Sequence, residues 1–371
     1  MKRRISLIIS FLLIIAFLSG CTNKTYPSEM VFNKKSDLGT NVIRFTSDSA
    51  NDDIFYQNPN FFSPDDSKFL FRSQRGDGRY RLYLLDLYSG NISLLREDTS
   101  FGWMPTWSKD GKEVYVGHVG KILAIEIENF KERIIELPSD SWITFLDLSP
   151  SGDKLVFVEE DSRFLVDTHK ILSVVHIDGT GYRQIYILDH ENEFYLDHPF
   201  FVDENTILFM TRGKNRDFTG DFNKPYLFNL DTGNFTRFPI CCSHYDVHPN
   251  GDKILCASEG YIIDLDGNIL KETYGIRGHG VWSSDGDTFL MTGDPVPVTE
   301  DSQYFGKITI MKLSTNEIYN LVSHENTYDS SLSAHIQPNA HFSRDGKYII
   351  YQSDRNGNLD LFLVEVPNLK I

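Results

Sequence analysis

Histidines are the residues of this chain whose spacing points most directly to chemistry. His198, His244 and His279 each lie three residues before a large apolar residue that begins a recurring turn, and Asn339 holds the same place in the last copy. Histidine is the side chain that most often binds zinc, manganese, iron or nickel in proteins. If the equivalent positions lie close together in the fold, these imidazoles can share a divalent cation or another ligand.

The last copy of the turn carries further groups of this kind. The candidate metal or ligand set comprises His198, His244, His279, His335, Gln337, Asn339 and His341. Residues two apart on a strand share a face but lie at different depths, which places His341 away from the neighbours of Asn339. The alternative is that these aromatic and hydrogen-bonding side chains fill a narrow channel and bind only water.

The elements that must position these side chains repeat along the chain. A large apolar residue, a Ser-Pro-Asp-Gly-like turn and a β-rich run occur seven times, starting at Phe62, Trp107, Leu148, Phe201, Val247, Trp282 and Phe342. The copies start 35 to 60 residues apart, which is the length of a four-stranded propeller blade with variable loops. We expect one mouth of the central channel to carry Pro59, Met104, Phe145, His198, His244, His279 and Asn339.

This pattern predicts an all-β chain that forms one seven-bladed β-propeller over residues 41–371. Amphipathic segments of helix length are absent after the first 20 residues, and Asp, Gly and Asn punctuate the connections as tight hairpins require. The last repeat has room for only three strands. We therefore expect Asn41–Thr46 to supply the fourth strand and close the ring, which removes exposed sheet edges.

The run 342–357, FSRDGKYIIYQSDRNG, is followed by the apolar strand Leu361–Val364 and resembles the repeat of TolB-type propellers. The resemblance is strong in the first and last units and weak in the others. It implies the propeller fold, but such repeats serve binding proteins, scaffolds, peptidase gating domains and lyases. The chain has no Gly-x-Ser-x-Gly elbow, phosphate-binding loop or Cys-x-x-Cys site, which argues against a linked peptidase or a nucleotide enzyme.

Two other segments resemble oligogalacturonate lyases. Residues 278–286, GHGVWSSDG, are similar to the stretch in which a histidine supplies one manganese ligand of that family, and His244 with residues 256–260, CASEG, is similar to the preceding blade. Gln337 and Asn339 stand where the family has two histidines. The resemblance implies manganese or a similar divalent metal and β-elimination of uronides, in which the cation neutralises the carboxylate and a base removes the C5 proton.

Arg212, Lys214 and Arg216 form the one dense cationic group that we place near the same mouth, and they are the candidate catalytic residues. The alternative is an ordinary solvated loop. The formal net charge of −16 repels nucleic acid. It also disfavours polyanionic substrates, unless a local cationic pocket outweighs it.

The first 21 residues carry a targeting pattern. A basic start, Lys2–Arg4, precedes an apolar run and the residues Leu-Ser-Gly-Cys ending at Cys21. This predicts a signal peptide over residues 1–20, and the last four residues resemble a bacterial lipobox, which implies lipidation of Cys21. The protein would then be anchored to the cell membrane on its extracytoplasmic side, and polar residues 21–40 would be a tether.

Three cysteines remain beyond Cys21, namely Cys241, Cys242 and Cys256. Cys256 can form one disulfide, either with Cys241 or with Cys242. Alternatively, all three cysteines are free buried thiols. Stability must therefore come from a packed core and not from a disulfide scaffold.

The sequence leads to two main hypotheses about function. The first is a membrane-anchored extracytoplasmic lipoprotein that acts as a binding or scaffold module for a glycan, a peptide or an envelope protein, since propellers present variable loops on a rigid ring. The second is a metal-dependent oligogalacturonate lyase acting by β-elimination. A weaker third is a TolB-like role in an envelope complex.

Overall fold

A computed structural model shows the chain as a ring of small antiparallel β-sheets. No helix occurs in the part of the chain that is described, and so no helix there is long and apolar enough to cross a membrane. The described residues are 24–56, 61–98, 102, 104–161, 170–188, 193–213, 224–273, 278–293, 306–329, 334–335 and 337–367.

The strands follow one another in chain order, and successive groups of four build successive blades. The N-terminal segment contributes β1 (Thr25–Tyr26), β2 (Val31–Lys35) and β3 (Asn41–Arg44). Blades one to three contain β4 (Asp52–Asp53), β5 (Lys68–Ser73), β6 (Arg81–Asp86), β7 (Ile92–Arg96); β8 (Thr106–Trp107), β9 (Glu113–His118), β10 (Lys121–Glu126), β11 (Glu132–Glu136); and β12 (Trp142–Leu148), β13 (Lys154–Glu160), β14 (Lys170–His176), β15 (Arg183–Ile187).

The remaining blades repeat this arrangement, and the described residues thus contain seven blades, as the sequence predicts. Blades four to six contain β16 (Glu193–Phe201), β17 (Thr206–Gly213), β18 (Lys224–Asn229), β19 (Phe235–Arg237); β20 (Tyr245–Val247), β21 (Lys253–Cys256), β22 (Tyr261–Asp264), β23 (Ile269–Glu272); and β24 (Gly278–Trp282), β25 (Thr288–Gly293), β26 (Lys307–Lys312), β27 (Ile318–Ser323). A hairpin of β28 (Tyr328–Asp329) and β29 (Ala334–His335) precedes β30 (His341–Phe342), β31 (Tyr348–Ser353) and β32 (Asp360–Glu365) of blade seven.

The middle strands of each blade are apolar on both faces because each blade lies between two others. In β6, β10 and β26 four consecutive residues are buried and only the two ends are half-exposed. The outer strand β11 shows the opposite pattern, with Ile135 as its single buried residue. The hydrophobic core therefore consists of layers between neighbouring blades, which explains the continuous apolar runs in the sequence.

The repeated Ser-x-Asp-Gly turn is held by its own side chains. In blade seven the Ser343 hydroxyl donates to Asp345 Oδ1 at 2.7 Å and accepts the Tyr348 backbone N–H at 3.0 Å. Gly346 follows with φ of 70°, a conformation that favours glycine. Ser108 makes the equivalent bonds in blade two, at 2.8 and 2.9 Å. The repeat is thus a local turn chemistry, and this is why it can be read from the sequence.

The predicted closure of the ring is confirmed. Strand β3 pairs antiparallel with β32, with Val42 opposite Val364, and the Phe45 N–H continues the ladder by donating to Leu361 O at 2.8 Å. Both Val42 and Phe45 are buried. The N-terminal and C-terminal parts of the chain therefore share one blade, and the ring has no open end there.

The segment that we expected to be a tether contains two strands in its described part. Strand β1 pairs with β7 on the outer edge of blade one, and β2 pairs with β3 on the outer edge of blade seven. Glu29, between them, bonds the buried Arg75 guanidinium, which also bonds Asp52 at 2.6 Å. Such edge strands are held by backbone ladders and not by apolar burial, since Phe32 is 62% exposed, and so no apolar periodicity reveals them.

Candidate active site

The residues three positions before the large apolar residue of each repeat share an unusual backbone conformation. A left-handed φ of 41° to 63° occurs at Met104, Phe145, His198, His244 and Asn339. Such residues bend the innermost strand or the chain just before it, and in β12 and β16 they coincide with β-bulges. Blade six differs because His279 pairs regularly with Thr292, and Gly278 takes the positive φ of 130°. Pro59 lies outside the described residues.

The three imidazoles of His198, His244 and His279, hereafter the imidazole cluster, surround Tyr56. The Tyr56 ring centroid lies 5.2 Å from that of His198, 5.8 Å from His244 and 5.0 Å from His279. The cluster comes from blades four, five and six, whereas Tyr56 follows β4 of blade one. Side chains from these blades meet only across the ring axis, and so the group lies in the central channel.

Hydrogen bonds fix the orientation of two of these rings. Nε2 of His279 lies 2.8 Å from the Tyr56 hydroxyl oxygen, and its backbone N–H donates to Thr292 Oγ1 at 3.1 Å. Nδ1 of His244 lies 2.5 Å from Ser258 Oγ. Each imidazole is thus held by a hydroxyl group, which limits its ring to one orientation.

The electrostatics of the cluster favour a neutral His244. Burial of its ring lowers the pKa of His244 well below the usual 6.5, and repulsion from His279, His198 and Arg212 lowers it further. The Arg212 guanidinium, on β17, lies 4.8 Å from the centre of the Tyr195 ring. A neutral imidazole beside a fixed cation can accept a proton from a group that the cation attracts.

The amides of the last blade contact the segment that carries Tyr56. Asn339 Nδ2 donates to Ile54 O at 3.1 Å, and its Oδ1 is buried without a hydrogen-bond partner among the described residues. Gln352 accepts the Ile54 N–H through Oε1 at 2.5 Å and donates through Nε2 to the backbone oxygen of Gln337 at 2.8 Å. The Asn339 amide therefore positions the backbone two residues before Tyr56.

His341 does not join the imidazole cluster. It is completely buried, with its ring centroid 5.2 Å from that of Phe61. Burial lowers its pKa to about 4, against a smaller opposing effect of the Phe55 backbone. His341 is thus a neutral core residue, and it leaves the candidate ligand set because it lies at a different depth on its strand. The side chain of His335, on β29, is outside the described atoms.

A disulfide lies next to His244. Cys242 and Cys256 are bonded to each other, and the disulfide does not include Cys241. This bridge joins the residue two before His244 to the residue two before its partner Ser258. Of the alternatives that the sequence left open, the structure therefore selects one pairing, and that pairing ties both ends of the His244–Ser258 contact together.

The described donor atoms do not match a resident divalent cation. The His244 and His279 rings stack 4.1 Å apart with planes inclined by only 23°. Because lone pairs lie in the ring plane, two such planes meet too far away for metal–nitrogen bonds of about 2.1 Å. Within the described part of the chain, no three His, Cys, Asp or Glu side chains are arranged so that they could hold a metal ion. The lone buried oxygen of Asn339 is a single neutral donor.

The structure brings together only part of the predicted set. His198, His244 and His279 meet in the channel, and the charge of Arg212 lowers the pKa of His244, whereas Lys214 and Arg216 lie outside the described residues. Sequence analysis did not single out Tyr56, since it stands outside the repeated register in a position that no other blade shares. Ser258 lay within the CASEG segment, but nothing in its type indicated contact with His244.

Comparison with known proteins supports the family that the motifs suggested. The profile of the family described as oligogalacturonate lyase matches residues 23–370. The chain is 26% identical over 380 residues to the oligogalacturonate lyase of Dickeya dadantii (strain 3937), covering 90% of this chain and 95% of that protein. It is 25% identical over 379 residues to the oligogalacturonide lyase of Pectobacterium atrosepticum, covering 89% and 94%.

Solved structures of similar fold carry the same name. An oligogalacturonate lyase in complex with manganese superposes with a TM-score of 0.75 at 18% identity, covering 93% of this chain and 98% of that one. The oligogalacturonate lyase of Vibrio parahaemolyticus gives 0.76 at 17% identity, covering 93% and 99%. These similarities establish the propeller fold. Since the family profile spans nearly the whole sequence, the chain belongs to the oligogalacturonate lyase family.

Proposed function

We propose that this protein is a uronide lyase that cleaves oligogalacturonate by β-elimination. The observation that carries the proposal is His244, a buried imidazole that Ser258 orients and whose pKa is lowered by burial, by the neighbouring imidazoles and by the charge of Arg212. Its curated relatives are named as lyases of oligogalacturonate and oligogalacturonide. They give no support to the binding or scaffold role that we considered first.

The reaction needs a base and a positive charge at adjacent places. In the elimination a base removes the C5 proton beside the carboxylate, the C5–H electron pair forms the C4=C5 double bond, and the C4–O bond breaks. The departing oxygen takes a proton. We assign His244 as the base because it is neutral at neutral pH, and Arg212 to the carboxylate, whose negative charge grows as C5 loses its proton.

The positive charge of Arg212 also explains how an acidic protein can bind an anionic substrate. A chain with a net charge of −16 repels a polyanion at long range. A cation inside the channel acts at short range, where the low dielectric strengthens its attraction for a carboxylate. Short substrates that enter the channel therefore fit this surface better than long polymers that lie across it.

A divalent cation enters this proposal only through the relatives, since one solved structure is a complex with manganese. A bound cation would polarise the carboxylate and acidify C5. Because the described donor atoms do not match such a site, the steps above use only side chains of this chain. The assay is therefore run both with added manganese and with a chelator.

The test is the formation of unsaturated uronide from oligogalacturonate, followed by its ultraviolet absorbance. We expect His244→Gln to lower kcat by about 100-fold or more, as loss of a general base does. Arg212→Gln should lower kcat/KM by a similar factor, since it removes the partner of the carboxylate. The matched control is His176→Gln, at the end of β14, which should leave turnover unchanged.

Full turnover by the His244→Gln variant would show that His244 is not the base. If the folded wild-type protein forms no unsaturated product with or without manganese, the lyase proposal fails. Binding of oligogalacturonate without turnover would then restore the binding-module hypothesis.

We also propose that the protein is a lipoprotein, anchored through Cys21 and facing the extracytoplasmic side. The N-terminal pattern supports this, although residues 1–23 lie outside the described part of the chain. The Cys242–Cys256 disulfide agrees with an oxidising compartment. Cys21→Ser should leave the precursor uncut or release the protein from the membrane fraction. A processed, membrane-bound Cys21→Ser protein would contradict the anchor.

A further inference from the structure

The Tyr56 hydroxyl lies within the imidazole cluster, close to the proposed base. It lies 2.8 Å from His279 Nε2, and the Tyr56 ring contacts all three imidazoles, including the proposed base His244. Elimination removes the C5 proton and protonates the departing oxygen, and two different side chains can perform these two transfers. Tyr56 and His244 come from opposite sides of the ring and flank the same small volume.

We propose that Tyr56 donates this second proton, and that His279 serves as its hydrogen-bond partner and not as a ligand of a catalytic cation. The inference rests on the proposed function, because it concerns the same elimination. Electrons and protons balance without a metal. His244 accepts the C5 proton, the C4–O bond electrons pass to the leaving oxygen, and the Tyr56 O–H proton goes to that oxygen, after which water exchanges protons with both residues.

The side chains around Tyr56 support this role over that of a metal site. An imidazole nitrogen that shares a hydrogen bond has no lone pair left for a cation, and Nε2 of His279 is in that state. The stacked plane of His244 directs its own lone pair elsewhere. Nε2 of His279 and the ring plane of His244 are therefore both directed to contacts other than a shared cation.

The amides in blade seven provide the second, independent observation. Asn339 Nδ2 donates to Ile54 O at 3.1 Å. Buried Gln352 accepts the N–H of the same residue. Both hydrogen bonds of the Ile54 backbone are thus made by amides, and they fix the chain two residues before Tyr56. The side chain at 339 positions tyrosine, a task that a metal-bound imidazole could not perform.

The experiment compares Tyr56→Phe with the wild type after dialysis against a chelator. We expect the wild type to contain no stoichiometric divalent metal by elemental analysis and to keep its turnover. Tyr56→Phe should lower kcat by about 100-fold on oligogalacturonate, and added manganese should not restore it. Tyr88→Phe is the matched control, because Tyr88 is 78% exposed on the surface and should change nothing.

A substrate with a better leaving group separates proton donation from a structural role. A galacturonide with a 4-nitrophenyl ether at O4 releases an oxygen that needs no proton. Tyr56→Phe should cleave it at nearly the wild-type rate if Tyr56 is the donor, whereas a merely structural tyrosine would slow both substrates equally and overturn the inference. Asn339→Ala should lower kcat on oligogalacturonate as well, because it loosens the Ile54 backbone.

The two proposals fail in different ways. Turnover by the wild type that disappears in the chelator and returns with manganese would overturn the metal-free inference and leave the lyase intact. No product from the wild type under any condition would overturn the lyase and this inference with it.

Discussion

The imidazoles of His244 and His279 lie face to face, with ring centroids 4.1 Å apart. Two imidazoles at this distance repel each other strongly when both are positively charged. This repulsion adds to the effect of burial in lowering the pKa of His244. The stack therefore keeps His244 neutral while the opposite side of the cluster holds the Tyr56 hydroxyl.

The charge of Arg212 is one cause of the low pKa of His244, and its removal should be measurable without any substrate. In Arg212→Gln the repulsion disappears, so the pKa of His244 should rise towards 6.5. An NMR titration of the imidazole C2–H resonances detects the shift. Arg237→Gln, on the exposed strand β19 of the same blade, is the control and should leave this titration as it is. An unchanged or lower pKa in Arg212→Gln would show that the two groups do not interact.

A second histidine prediction concerns stability. His341 has a pKa of about 4 in the folded chain against 6.5 when unfolded, so between these values the unfolded chain binds a proton that the folded chain does not. Stability from this residue therefore falls as the pH drops below 6.5, by about 1.4 kcal/mol per pH unit at most. In His341→Phe that loss is absent.

The measurement is the difference in free energy of unfolding between wild type and His341→Phe, from urea titrations above pH 6.5 and again between pH 4 and 6.5. The variant should gain relative to the wild type on acidification. A difference is needed because buried Asp147 and Asp360, whose pKa values burial raises to about 7, act in the opposite direction in both proteins. A difference independent of pH would mean that His341 is protonated in the folded chain.

The fold could be predicted because its signal is local and repeated. Each Ser-x-Asp-Gly turn forms its own hydrogen bonds, such as that between Ser343 and Asp345. A serine and an aspartate at this spacing therefore predict the turn in every repeat. The edge strand β2 could not be predicted, since its Phe32 faces solvent and its stability comes from backbone pairing with β3. Local chemistry is visible in a sequence, whereas pairing between distant segments is not.

The candidate site could likewise be predicted only in part. The shared register indicated that His198, His244 and His279 would meet, because equivalent positions of a ring converge. Tyr56 was missed since it enters the channel from blade one at a position without counterparts. The sequence gives no sign that Asn339 holds Ile54, because that contact joins residues 285 positions apart.

The disulfide offers a prediction about stability and about the site together. Cys242 and Cys256 are 14 residues apart, and removal of a bridge across a loop of this size costs about 3 kcal/mol. We expect the double variant Cys242→Ala and Cys256→Ala to unfold at lower urea concentration, and a reductant should lower the wild type to the same midpoint. Cys241→Ala should match the wild type. A destabilised Cys241→Ala protein would indicate that Cys241 takes part in the bridge.

Ring closure can be tested by two truncations that differ by six residues. A chain starting at residue 41 lacks β1 and β2 but keeps β3 between solvent and β32, so the ring remains closed. A chain starting at residue 47 also loses Val42 and Phe45, two core side chains, and leaves the backbone of β32 unpaired along one side. Loss of these two side chains alone costs about 3 to 5 kcal/mol or more.

We therefore expect the chain from residue 41 to show one cooperative melting transition, somewhat below that of the full chain because the contact of Glu29 with Arg75 is gone. The chain from residue 47 should melt at much lower temperature and associate in size-exclusion chromatography, since the freed edge of β32 can pair with another molecule. Equal melting temperatures for the two truncations would show that the ring does not depend on β3. Loss of cooperativity already in the longer chain would instead assign the closing role to β2.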